Sequence, residues 1–264
     1  MAVPLAEVVG LVVVLSSAHR GEDAWLIWVA AVLALAGASG AAFVHGLRRW
    51  AEFREFGGVS WSAVVRPLLP VYVIGVVLLV PLLLRDFDAW RGAVLIVLAS
   101  AGLSPAAATM VAVGRTTAVR ADVAAAAPGL QVDHLIRAGR LLQSLLSVGG
   151  GIVALLVVVE ATSQRMTGHV SVETTLVFGA NSSALVAIVY VPIAARLRQR
   201  GMELVDICHP LGPVGPGELA DVLDQRSRIE AALRVDRTVF SDIQTNLAVV
   251  GPLLAAAASV FLSR

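Results

Sequence analysis

The chain has no lysine, and all twenty of its basic residues are arginines. A Walker A nucleotide site and a Schiff-base site both need a lysine amine, so both are excluded. The single cysteine, Cys208, excludes an internal disulfide and a cysteine-rich metal site. Aromatic residues make up only 5% of the chain, which leaves little material for a large hydrophobic ligand pocket.

Charged residues are also scarce, at 15% of the chain, whereas soluble domains have about 25%. Hydrophobic residues make up 58%, and the mean hydropathy is +0.83. This composition is typical of an integral protein of the lipid bilayer. The net charge of +1 gives no reason to expect a nucleic-acid partner. No metal-binding motif is present, so we expect no metal and no cofactor. An enzyme remains possible, but the sequence assigns no catalytic residue.

Seven stretches are candidates to cross a bilayer, for which a helix needs about 20 apolar residues. We therefore predict an all-α polytopic bundle of six or seven spans that forms a single integral membrane domain, residues 1–264. The first stretch is short, and it could instead be a signal peptide, although it carries Glu7 and lacks a basic start. The predicted spans are 3–18, 24–46, 67–84, 92–113, 141–160, 174–195 and 243–262.

The arginines indicate the orientation of these spans. Fifteen of the twenty lie in or beside the second, fourth and sixth connections. The positive-inside rule makes those connections cytoplasmic and predicts an N-inside, C-outside topology in the cell (inner) membrane. The larger cytoplasmic segments are 114–140, predicted as two short helices around a turn, and 196–242. A cytoplasmic protein or ligand would bind on these segments.

The stretch from Gly217 to Leu262 is predicted to be one helix that runs from the cytoplasm into the last span. Its apolar residues recur in alternating steps of three and four, as in a coiled coil. Such a seam favours a homo-oligomer, unless segment 114–140 covers it. The predicted seam consists of Leu219, Val222, Ile229, Leu233, Phe240, Ile243 and Leu247.

Uncharged polar residues lie at membrane depth in two of the predicted spans. An amide in hydrocarbon costs several kcal/mol unless it is satisfied, so Asn181 should face water or another polar group. These residues line a pore, or they form hydrogen bonds between helices and cap the interface. The pore-lining candidates are Asn181, Ser182, Gln244, Thr245 and Asn246. No carboxylate lies near the midplane of a span, which disfavours ion-coupled transport.

The segment Gly37-Ala38-Ser39-Gly40 resembles the Gly-x-Ser-Gly segment around the nucleophile of rhomboid intramembrane proteases. The resemblance implies that Ser39 is a nucleophile, activated by a histidine on a later span. No later predicted span contains a histidine. The alternative is close helix packing through a stripe of small residues, formed by Ala30, Ala34, Ala38 and Ala42.

Three functions remain open. The leading expectation is an oligomeric ion channel or pore that is gated through its cytoplasmic helices. The second is a membrane-embedded interaction or permease subunit that docks a cytoplasmic partner on the arginine-rich face. The third is an intramembrane serine protease, which depends on Ser39 alone.

Overall fold

The computed structural model describes residues 2–18, 24–56, 61–83, 89–119, 128–166, 172–211, 215, 217–233 and 235. Within these ranges every regular element is an α-helix and no strand occurs, so the all-α prediction is confirmed for the described residues. The helices are α1 (Ala2–Leu15), α2 (Trp25–Phe56), α3 (Trp61–Leu83), α4 (Ala89–Val119), α5 (Pro128–Met166), α6 (Val172–Cys208) and α7 (Leu219–Leu233).

Four of the described helices are long and apolar enough to cross a membrane. The qualifying stretches are Trp25–Arg54 in α2, Trp90–Arg115 in α4, Gly129–Met166 in α5 and Glu173–Cys208 in α6. Helix α1 and the Val64–Gly75 part of α3 are shorter apolar helices. The predicted last span, 243–262, lies outside the described residues.

Several helices are much longer than a bilayer requires. At about 1.5 Å per residue, the 39 residues of α5 and the 37 residues of α6 extend roughly 55–60 Å, about twice the 30 Å of a hydrocarbon core. The second of the two short helices predicted in 114–140 is not separate, because it is the start of α5, whereas the first falls on the Ala124–Ala127 run, which lies outside the described residues. Residues 114–119 complete α4, and residues 128–140 begin α5, where Pro128 occupies a first-turn position that needs no backbone N–H.

Buried side chains join the helices at both ends of the bundle. At one end, α2, α4, α5 and α6 share a cluster that includes Trp28, Leu95, Val157 and Phe178. At the other end, the last turns of α2 and α4 meet the first turns of α3 and α5, and the packed residues include Phe53, Val64, Val113 and Ala138. We call this second end the arginine-rich end, because the connections that carry most of the arginines lie there.

Helix backbones approach closely where glycine replaces a larger side chain. A Cβ built on Gly40 would lie 2.7 Å from the Cα of Val3, which brings α1 against α2. A Cβ built on Gly102 would lie 2.6 Å from the carbonyl oxygen of Ser39, which brings α4 against the other side of α2. Helices in lipid gain little from hydrophobic association, so close contact through small residues is their usual means of packing.

Helix α7 folds back on the arginine-rich end of α6. Arg226 forms an ion pair with the Asp206 carboxylate at 2.7 Å and donates a hydrogen bond to the His209 carbonyl oxygen at 2.9 Å. The backbone N–H of Val235 donates to the carbonyl oxygen of Glu230 at 3.0 Å, a bond that is typical of a Schellman helix end. The predicted continuous helix from Gly217 is therefore interrupted after Leu233.

Candidate functional site

The structure places two of the five predicted pore residues. Ser182 on α6 is only 2% exposed, and its Oγ has no hydrogen-bond partner among the described residues. Asn181, its neighbour, is half-buried. The other three, Gln244, Thr245 and Asn246, belong to the part of the chain that the structure does not describe, so they stay predictions.

Ser182 faces a partly open cavity of about 190 Å³ that is lined by α3, α4, α5 and α6. Most of its wall is aliphatic, and the polar side chains in the wall are Ser182, Ser100 and Tyr72. The Tyr72 hydroxyl donates to the Ser100 carbonyl oxygen at 3.2 Å. An ion in this cavity would lose its hydration shell without gaining replacement ligands. The cavity therefore suits a small apolar group and not a hydrated ion.

Ser39 is buried in a helix crossing. It is 1% exposed, and its Oγ has no hydrogen-bond partner in the described part of the chain. Its backbone and Cβ lie against Gly102 of α4. The histidine on its own helix, His45, contacts Ser144 of α5 instead, with 3.3 Å between Oγ and Nε2. This geometry supports the close-packing interpretation of Ser39. It does not support the interpretation of Ser39 as a nucleophile.

The Ser39→Ala variant should fold as well as the wild type. The substitution removes a buried hydroxyl that has no described partner, so it deletes no bond and relieves a desolvation cost of about 1 kcal/mol. Thermal unfolding of the purified protein in detergent checks this expectation. A serine nucleophile would be revealed by covalent labelling with a fluorophosphonate probe that Ser39→Ala abolishes, and we expect no such labelling.

A second cavity, of about 360 Å³, lies at the arginine-rich end between α5, α6 and the end of α7. This volume falls in the range of about 300–1,000 Å³ that is typical of ligand pockets. Its polar wall residues are Arg140, Gln143, Tyr190 and Arg198. Its other wall residues are Leu135, Ile136, Gly139, Leu142, Ala194, Leu197, Gly201, Ala232 and Leu233. We call this space the α5–α7 cavity.

The predicted seam is partly covered by the chain itself. Leu219 is 41% exposed, whereas Val222, Ile229 and Leu233 are half-buried, and Leu233 lines the α5–α7 cavity. Helices α5 and α6 lie beside α7, and residues of α5 from segment 114–140 line the same cavity as Leu233. Phe240, Ile243 and Leu247 fall in the undescribed C-terminal stretch, and the homo-oligomer stays a prediction.

The structure also reveals buried polar contacts at the end of the bundle opposite the arginine-rich end. Arg91, at the start of α4, is 8% exposed and donates to both the hydroxyl and the carbonyl oxygen of Ser16 at the end of α1. Between the end of α5 and the start of α6, Thr175 donates to the Gln164 side-chain oxygen at 3.0 Å. Sequence reasoning missed these contacts, because it treated Arg91 only as a marker of orientation.

Among the residues that the structure describes, no group of three or more histidine, cysteine, aspartate or glutamate side chains could hold a metal ion. No family model matches the chain, and neither a curated protein nor a solved structure matches it. A functional proposal therefore depends on the geometry described above.

Proposed function

We propose that the chain is a membrane protein of six or seven spans with its arginine-rich end in the cytoplasm, and that it forms an oligomeric ion channel or pore gated through that end. The observation that carries the proposal is the continuity of α6. One helix of 37 residues bears Asn181 and Ser182 at membrane depth, and it also bears Arg198 and Gly201, which contact the end of α7.

The placement in the membrane is supported by the tryptophans as well as by the arginines. Trp25 and Trp90 lie at the helix ends opposite the arginine-rich end, whereas Trp50 and Trp61 lie near the arginine-rich end. Tryptophan is enriched at both interfaces of a bilayer, because its ring is apolar and its N–H is polar. This distribution is expected of helices that cross from one interface to the other.

Gating would follow from the mechanics of α6. The Nε–H of Arg198 donates to the Val235 carbonyl oxygen at 3.0 Å, and a Cβ on Gly201 would lie 2.6 Å from the Val235 side chain. A displacement of α7 would therefore act on α6 through Val235, just beyond the end of α7. Pro192 lies inside α6 between this contact and Asn181, and a proline removes one helix hydrogen bond and provides a point of bending.

The proposed conduction path runs between copies of the chain, along the face of α6 that carries Asn181. The cavity at Ser182 is too apolar to conduct ions by itself. Asn181 is half-buried in the single chain, so part of its amide remains accessible to a second copy or to water. The proposal assigns Gln244, Thr245 and Asn246 to the same path on sequence grounds.

The Asn181→Leu variant tests the path. In liposomes that contain the purified protein, we expect this variant to lower potassium flux by about tenfold, because an aliphatic side chain cannot replace the hydration of an ion. Ala101→Leu is the matched control, since Ala101 is an exposed alanine of α4 and lies outside the proposed path. Equal flux in the wild type and in both Asn181→Leu and Asn246→Leu would remove the channel proposal, as would a strictly monomeric protein in crosslinking experiments.

The interaction subunit is the second candidate, and one observation favours it. Apolar side chains are exposed where α6 ends and α7 begins: Ile207 is 72% exposed, Leu211 43%, Leu219 41% and Leu223 47%. Exposed apolar groups that cluster among polar ones mark protein interfaces. A monomeric protein without flux would make this candidate the leading one.

A further inference from the structure

The α5–α7 cavity combines an apolar wall with two guanidinium groups. Leu135, Leu142 and Leu197 contribute aliphatic surface, whereas Arg140 and Arg198 contribute positive charge. The described lining contains no aspartate or glutamate that could neutralise those charges. The cavity is therefore complementary to a molecule that has an anionic group and an apolar chain.

The position of this cavity along the helices corresponds to the boundary of the membrane. The predicted spans 141–160 and 174–195 place Tyr190 and Ala194 on the membrane side of the boundary. The same spans place Arg140 and Arg198 just beyond the hydrocarbon, on the side that we propose to be cytoplasmic. The cavity thus reaches from the part of the acyl chains next to the headgroups into the headgroup layer itself.

Both arginines retain donors for a ligand. Arg198 uses its Nε–H for the Val235 carbonyl oxygen, and a guanidinium has four further N–H donors. Arg140 is exposed, and its guanidinium has five N–H donors. Phosphate oxygens are strong acceptors for such donors, and the planar fork of arginine matches them well.

We propose that the α5–α7 cavity binds one anionic phospholipid of the cytoplasmic leaflet, with its phosphate between Arg140 and Arg198 and an acyl chain along Leu142 and Ala194, the aliphatic wall residues on the membrane side. Basic pockets between helices at this depth are suited to such headgroups. Because Leu233 at the end of α7 lines the cavity together with residues of α6, the lipid would contact α7 where it lies beside α6. The proposal uses the orientation proposed above, but it does not need the protein to conduct ions.

Native mass spectrometry of the purified full chain in detergent tests the proposal. We expect one phosphatidylglycerol molecule to bind with about tenfold higher affinity than phosphatidylcholine, because only the anionic lipid gains from the two charges. The pair Arg140→Gln and Arg198→Gln should abolish this preference. Arg54→Gln with Arg115→Gln is the matched control, since both arginines are exposed at the same end of the bundle and the change in net charge is identical.

Two further variants separate binding from folding. Arg140→Gln alone changes an exposed residue and leaves the contact from Arg198 to Val235 in place, so a reduced preference for phosphatidylglycerol cannot result from the loss of that contact. Ala194→Phe should fill the cavity and weaken the binding of both lipids, although it leaves both arginines unchanged.

Several results would overturn the proposal. Equal loss of preference in the control pair would show a general attraction to the basic surface. Equal affinity for the two lipids would show that the charges have no role. Competition by millimolar inorganic phosphate would identify a site for a free anion, and an unchanged lipid adduct in Ala194→Phe would place the lipid elsewhere.

Discussion

Replacing Gly102 by alanine should destabilise the bundle, although alanine is the better helix former. The new Cβ would lie 2.6 Å from the carbonyl oxygen of Ser39 and 2.9 Å from its Cα, so α2 and α4 would have to move apart. Helix propensity favours alanine by about 1 kcal/mol, whereas overpacking costs roughly 1–3 kcal/mol and lies at the upper end of that range here, because the neighbouring atoms are backbone. The steric cost is larger, and the melting temperature of the purified protein in detergent should fall clearly.

The same change at Gly151 provides the matched control. Gly151 lies in the middle of α5, it is exposed, and no described atom lies within 4 Å of the position that an alanine Cβ would occupy there. At this residue only the difference in helix propensity between glycine and alanine applies. Gly151→Ala should therefore stabilise the protein by up to about 1 kcal/mol. Opposite shifts for the two variants support the close crossing, and equal upward shifts would show that α2 and α4 are further apart.

Replacing Arg91 by methionine should release the end of α1 from α4. Methionine keeps much of the aliphatic length but cannot donate to the hydroxyl and carbonyl oxygens of Ser16. It also lacks the positive charge, which stabilises the carbonyl end of α1 and lies 5.5 Å from the centre of the Trp90 ring. Because Arg91 is 8% exposed, we expect a loss of roughly 2–4 kcal/mol.

Thermal unfolding and cysteine labelling together measure this effect. In a Cys208→Ser background, Val14→Cys introduces a thiol at a position that is 5% exposed, and a maleimide should label it rapidly only when Arg91 is methionine. Arg115→Met is the control, because Arg115 is an exposed arginine near the other end of α4. Similar melting temperatures and labelling rates in the two arginine variants would contradict a stabilising role of Arg91.

The sequence predicts the helical class and the position of the apolar stretches, because both depend on local composition. It does not predict where the helices end at the arginine-rich end. Arginine and glutamate continue a helix as readily as they form a surface loop, so the extension of α6 to Cys208 carries no strong local signal. The end of α7 is equally hard to predict, since the spacing of apolar residues continues past Leu233 and no glycine or proline marks the stop.

The candidate sites depend on pairs of residues that are distant in sequence. Ser182 could be singled out because a hydroxyl is unusual at membrane depth, but its apolar surroundings come from three other helices. The α5–α7 cavity requires Arg140 and Arg198 to lie on neighbouring helices. In the sequence both are counted only as cytoplasmic charges, and no pattern within either segment indicates that they share a cavity.

The end of α7 at Leu233 also affects how the chain can change in length. In one unbroken helix, an inserted residue would rotate everything that follows by about 100°. The bond from Val235 to Glu230 closes α7 after Leu233, and Val235 lies against Gly201 and Arg198 of α6. Arg226 also pairs with Asp206 of α6, so a residue inserted between Arg226 and Val235 would displace one of these contacts, and the length of this part of the chain is constrained.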